Sequence, residues 1–105
     1  MSQELVEGWT DPITDQLLLD GVATESLAGH TVECLLWDRT GAAKSSMGTS
    51  SILTAATRIV KFVPGAGKLL ASESPYSQRW KITRPTGEIY FHPNASATKW
   101  HVKKP

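Results

Sequence analysis

The chain has 105 residues, 40% of them apolar and 20% charged, with a formal net charge of +1, enough for one globular domain, 1–105, and too little for a second core. Its one cysteine, Cys34, excludes an intrachain disulfide framework. No run of ~18 apolar residues is present, and the acidic opening Met1–Glu7 lacks the basic-then-apolar order of a secretory signal, so we expect neither a helical membrane span nor export.

In chain order, turn signals recur about every ten residues: Asp11-Pro12, Asp20-Gly21, Ala28-Gly29, Thr40-Gly41, Pro64-Gly65, Arg84-Pro-Thr-Gly87 and Pro93-Asn94. Short β-branched and aromatic runs lie between them, the rhythm of a sandwich or barrel. Strands are predicted near 14–19, 30–38, 58–63, 76–84, 88–92 and 98–103, with a weaker one near 49–54. Leu17-Leu18-Leu19 and 51–56 leave room for a helical turn. The small, polar stretch from Ala42 to Ser51 reads as a mobile loop.

Period-2 alternation is strongest late in the chain. Tyr76, Gln78, Trp80 and Ile82 share one strand face, three of them large and apolar, with Ser77, Arg79 and Lys81 on the other. Ile89 and Phe91 alternate with Glu88, Tyr90 and His92, as Trp100 and Val102 alternate with Lys99, His101 and Lys103. In each case the apolar face is the one expected to be buried. Arg84-Pro-Thr-Gly87 joins two such runs as a hairpin, proline presetting one turn residue and glycine free to take positive φ.

Motifs for chemistry are absent or broken. Gly65-Ala66-Gly67-Lys68 lacks the glycine that a phosphate loop needs at Phe62 and the hydroxyl it needs at Leu69. His30, His92 and His101 lack metal-ligand spacing. Asp11, Asp15 and Asp20 do not follow a calcium loop and read as solvated turn and strand-end acids. Cys34 lies in an apolar run and reads as a small buried hydrophobe. Asn94-Ala-Ser96 matches a glycosylation acceptor, which carries no weight without export. We therefore expect no catalytic residue, no metal and no cofactor.

The charge is unevenly spread. Residues 1–38 hold eight acids (Glu4, Glu7, Asp11, Asp15, Asp20, Glu25, Glu33 and Asp38) and no lysine or arginine, while residues 39–105 hold all eleven bases against Glu73 and Glu88. Such asymmetry points to partners. Lys99, Lys103 and Lys104 are the candidate partner-binding residues, facing an acidic surface of a neighbouring copy or of another protein. Nucleic acid is disfavoured: Trp100 alternates with the bases and should point inward, and the acids would repel phosphates.

Several pieces together resemble a known family. They are Leu17-Leu-Leu-Asp-Gly21, Leu27-Ala-Gly-His-Thr-Val32, Leu35-Leu-Trp-Asp-Arg-Thr-Gly41, Ser74-Pro-Tyr76-Ser-Gln-Arg-Trp80-Lys-Ile82, Gly87-Glu-Ile-Tyr-Phe91 and Trp100-His-Val102. Their order resembles that of tailed-phage virion proteins typified by the N-terminal immunoglobulin-like domain of baseplate upper proteins. Ser74-Pro75 departs from the family's aspartate and glycine before the tyrosine strand. The resemblance implies an all-β, immunoglobulin-like antiparallel β-sandwich of about seven strands. It also implies a non-enzymatic structural protein of a phage virion (a decoration, neck or baseplate adaptor), assembled in the host cytoplasm. Its partners would be other virion proteins and copies of itself. The alternatives are a small β-barrel ligand-binding protein or enzyme, and a phage-encoded inhibitor of a host protein.

Overall fold

The structure, a computed structural model, describes residues 2–17, 26–93 and 97–105. Among these, nine strands and one short 3-10 turn form: β1 (Ser2–Val6), β2 (Ile13–Gln16), β3 (Thr31–Trp37), β4 (Ala43–Lys44), β5 (Gly48–Thr54), β6 (Ile59–Pro64), η1 (Ala71–Glu73), β7 (Tyr76–Thr83), β8 (Ile89–His92) and β9 (Thr98–Lys103). The fold is all-β, as expected. The end of the predicted 14–19 strand, the Asp20-Gly21 turn and the Asn94-Ala-Ser96 acceptor lie outside the described residues.

Two sheets form. The larger runs β1-β9-β7-β3-β4, with β8 also beside β7; the smaller runs β2-β6-β5. This connectivity is that of an immunoglobulin-like sandwich, with β2, β6 and β5 as the B, E and D strands and β3, β7 and β9 as C, F and G. Two features differ from the expectation of about seven antiparallel strands. β1 runs parallel to β9, from Ser2↔Lys99 to Val6↔Lys103, so the larger sheet is mixed. The stretch read as a mobile loop carries β4 and the start of β5, because Gly48 to Ile52 pair with Pro64 to Val60 of β6.

The core lies between the sheets. Along β7, every second residue is buried, and Tyr76, Gln78, Trp80 and Ile82 are all at most 1% exposed. Phe62 of β6 meets Trp100 of β9 with ring centroids 5.8 Å apart, a tilted contact that joins the two sheets. Gly48 is required where β5 crosses the end of β6: a Cβ there would lie 2.2 Å from the Val63 carbonyl oxygen and 2.7 Å from Phe62.

Two corners fix the ends of the sandwich. The Tyr76 hydroxyl accepts from the Leu70 amide at 3.1 Å and donates to Glu73 Oε1 at 2.7 Å. That bond back across the turn before β7 is the tyrosine corner of immunoglobulin-like domains. Burial pushes the Tyr76 phenol up to about 12. The predicted hairpin forms at Arg84–Gly87, where the Gly87 amide donates to the Arg84 carbonyl at 2.8 Å with φ at 97°.

The alternation in β8 is real but its buried side is reversed. Trp80↔His92 and Ile82↔Tyr90 set Tyr90 and His92 on the inner face of β7, while Lys81↔Phe91 and Thr83↔Ile89 turn the apolar pair outward. Ile89 is 52% exposed and Phe91 41%. The physical reason is that the inner face at this point holds polar partners, described next.

Candidate interaction face and interior polar cluster

The outer face of the larger sheet presents Leu35 and Trp37 from β3, Arg79 and Lys81 from β7, Ile89 and Phe91 from β8, and Lys99, His101 and Lys103 from β9. β8 pairs with β7 as far as Trp80↔His92, and β9 pairs with it from Gln78↔Thr98. Arg79 sits where the edge partner changes. Around it lies an open groove of about 480 Å³, lined by Leu35, Trp37, Arg79, Phe91 and Ala97. That size falls within the ~300–1,000 Å³ of ordinary binding sites, and its walls are mostly apolar.

The three candidate lysines are all exposed. Lys99 and Lys103 lie on this outer face, and Lys104 follows the end of β9. Lys99 Nζ donates to Ser77 Oγ at 2.8 Å, and Lys103 Nζ stands 3.7 Å from Glu4 Oε2. Lys99 therefore lies beside Ser77 of β7, whereas Lys103 and Lys104 lie toward the far end of β9. The groove residues Leu35, Trp37, Phe91 and Ala97 are not evident in the sequence, because the apolar side of each run reads as core.

The early acids do not gather on one face. Glu4 pairs with Lys103, Glu7 Oε1 accepts from the Ala71 amide at 2.9 Å, and Glu33 stands opposite Lys81. The Asp38 carboxylate accepts from Thr40 and from the Ala42 amide, which holds its pKa below the usual carboxylate range. On the basic side, Lys44 and Glu73 pair at 2.6 Å. The charge split along the chain is thus partly met by internal neighbours.

Behind β8, a polar cluster occupies the interior. Arg58, between β5 and β6, is fully buried with φ at 60°. Its Nε donates to the Leu17 carbonyl and its Nη2 to the Tyr90 hydroxyl at 2.8 Å. The Arg84 guanidinium stacks on the Tyr90 ring, 4.5 Å from its centroid. Asp15 is half-buried rather than solvated. Burial raises its pKa, against the lowering effects of His92, the Gln16 amide and a Trp80 hydrogen bond. His92 is pushed down by burial, held up in part by Asp15 and lowered again by Arg58.

Other sites considered in the sequence take plain structural places. Cys34 is packed against the core with Gln78 Nε2 at 3.3 Å from its sulfur. Burial pushes its thiol up to about 12, which leaves it neutral and a poor nucleophile. The Gly65–Lys68 segment forms the turn after β6, with the Lys68 amide donating to the Gly65 carbonyl at 3.3 Å. No group of three or more metal-ligating side chains occurs among the described residues, and none of their helices is long and apolar enough to cross a membrane. Compared with protein-family models and with curated proteins, the chain matches none.

Proposed function

We propose that this chain is a non-enzymatic adaptor that works through protein–protein contacts of the outer face of its larger sheet, as a structural component of a tailed-phage virion. The observation that carries the binding part is the open, mostly apolar groove lined by Leu35, Trp37, Arg79, Phe91 and Ala97, on the same sheet face as Lys81 and Lys99. Apolar surface kept in the open with a polar rim is the anatomy of an interface. The virion part rests on the resemblance of the segment order to phage baseplate domains and on the immunoglobulin-like connectivity. Its partners would be other virion proteins, in a decoration, neck or baseplate position.

The test is co-sedimentation of the tagged chain with intact particles from the culture that produces it, compared with Phe91→Asp and Leu35→Ser. Association of the unaltered chain, lost in both variants while their thermal stability is retained, supports the reading. Absence of the chain from intact particles removes the virion assignment.

A further inference from the structure

We infer that the free edge of β5 pairs with the same edge of a second copy of this chain, in a two-fold antiparallel contact centred on Ser50 that joins the smaller sheets of the two molecules. This surface is separate from the outer face of the larger sheet, and the inference does not depend on the virion reading.

The register shows which main-chain groups are free to pair. The Gly65 amide donates to the Met47 carbonyl at 2.8 Å, and the same ladder sets Gly48 opposite Pro64, which has no amide to give. Bonded pairs alternate along an antiparallel ladder. Met47, Thr49 and Ser51 therefore turn their main-chain groups toward β6, and Gly48, Ser50 and Ile52 turn theirs to the open side. Among the described residues, no strand pairs with that side. A crevice of about 300 Å³ lies beside it, lined in part by Gly48 and Ser50 and by Cys34 and Lys44 of the larger sheet. The Ser50 hydroxyl accepts from the Cys34 amide at 2.9 Å, which anchors the middle of the edge before any partner arrives.

The edge is also unguarded. Proteins blunt exposed edges with charges, prolines or very short strands. Among the described residues, β1 carries Glu4, β2 follows Pro12 and carries Asp15, β4 has two residues, and β8 stands between Glu88 and Pro93. β5 runs for seven residues without a charge or a proline. Its irregularity, between Ile52 and Thr54, leaves Gly48 to Ile52 regular.

A second copy suits this stretch. Centred on Ser50, the pairing sets Gly48 opposite the partner's Ile52 and Thr49 opposite the partner's Ser51, so the large side chain meets glycine and hydroxyl meets hydroxyl. Just beyond, Leu53, 52% exposed, falls against the partner's Met47 corner, which takes apolar surface out of water. Charge does not oppose the contact. Lys61 of β6 stands opposite Ser51. The two β6 strands would lie three strand spacings apart, about 14 Å, beyond the ~8 Å screening length at physiological salt. Gly48–Ile52 is short against the ~20–30 residues a side of a stable interface, so the dimer is weak and forms at high concentration.

The experiment is sedimentation equilibrium of the full chain from micromolar to millimolar concentration, with amide hydrogen exchange followed by NMR. We expect a reversible monomer–dimer equilibrium. Exchange of the Ser50 and Ile52 amides should slow as concentration rises, while that of Thr49 and Ser51, already bonded to β6, changes little. Thr49 is exposed, and across the two-fold axis it is the diagonal neighbour of the partner's Thr49, ~7–8 Å away. Thr49→Lys and Thr49→Glu should each weaken the dimer about tenfold by like-charge repulsion with the melting temperature retained, and an equimolar mixture of the two should restore it. A chain that stays monomeric at millimolar concentration overturns the inference. So does protection that centres on Phe91 instead of Ser50, or a mixture that associates no better than either variant alone.

Discussion

Arg58 is the residue whose removal tests most of the interior argument at once. It is a cation at 0% exposure that joins the end of β2, through the Leu17 carbonyl, to β8, through the Tyr90 hydroxyl. A hydrogen bond from a charged donor contributes about 1.5–3 kcal/mol net, and a buried acceptor left without its donor costs a similar amount. Arg58→Ala removes both of these bonds and leaves a void, so we expect a loss of about 3–5 kcal/mol. That is a large part of the ~5–15 kcal/mol of a domain this size. At ~4–8 °C per kcal/mol, the melting temperature should fall by roughly 12–40 °C. Arg58 also holds φ at 60°, a conformation that costs a side-chain-bearing residue about 1–2 kcal/mol. Arg58→Gly relieves that strain and should be about 1 kcal/mol less damaging than Arg58→Ala. The assay is urea denaturation of both variants, with Tyr90→Phe and the Arg58→Ala/Tyr90→Phe double variant closing a cycle. We expect a coupling of about 1–2 kcal/mol between the two positions. A cost below ~1 kcal/mol for Arg58→Ala, or additivity in the cycle, would refute the view that this cation ties the sheets together.

Other outcomes follow from the same geometry. Trp80→Ala should cost about 3–5 kcal/mol, as core truncations of aromatics do, because Trp80 is 1% exposed at the centre of β7; thermal melting reads it. Gly48→Ala should destabilise measurably in chemical denaturation, since its Cβ would meet the backbone of Val63 at 2.2 Å. The His92 imidazole should titrate below 6.5 by NMR, because burial disfavours its charged form, and lower still in Asp15→Asn, where the anion holding it up is gone. The unfolded chain then takes up that proton first, so His92 lowers stability as pH falls below about 6.5. Asp15 acts in the opposite sense. Its folded pKa is raised, so its favourable contribution is complete below about 3.8 and is lost as pH rises through the folded value. Asp15→Asn should therefore stabilise the protein at neutral pH and lose that advantage in acid.

Where local pattern and tertiary partner agree, the sequence is legible. Tyr76, Trp80 and Ile82 mark one buried face, and β7 is flanked on both edges, so its alternation is expressed in full. The Arg84–Gly87 hairpin needs only its own turn residues. β1 cannot be read this way: Ser2–Val6 holds two apolar residues, and it becomes a strand by pairing in parallel with β9, nearly the whole chain away. β5 begins in Gly48-Thr-Ser-Ser51, a composition suited to a loop, and is held by its register with β6 and by Ser50 Oγ, which accepts from the Cys34 amide at 2.9 Å. In both cases tertiary pairing overrides weak local preference.

The candidate site is hidden for a different reason, and β8 shows it. Alternation gives the period of a strand but not which phase faces the core. For β8 the apolar phase, Ile89 and Phe91, would ordinarily be taken as buried. It is outside because the inner end of the sandwich already holds Arg58 and Asp15, and these need polar neighbours more than the core needs two further apolar side chains. Tyr90 supplies a hydroxyl to Arg58, and His92 an imidazole beside Asp15. A polar group buried without a partner costs several kcal/mol, comparable to or greater than the ~1.5–3 kcal/mol lost by leaving one large apolar side chain partly in water. The interior cluster and the exposed groove are therefore two sides of one choice made by four residues. Departures of this kind from the local rule are where function is expected to sit, and the side turned outward here is the one that forms the wall of the groove.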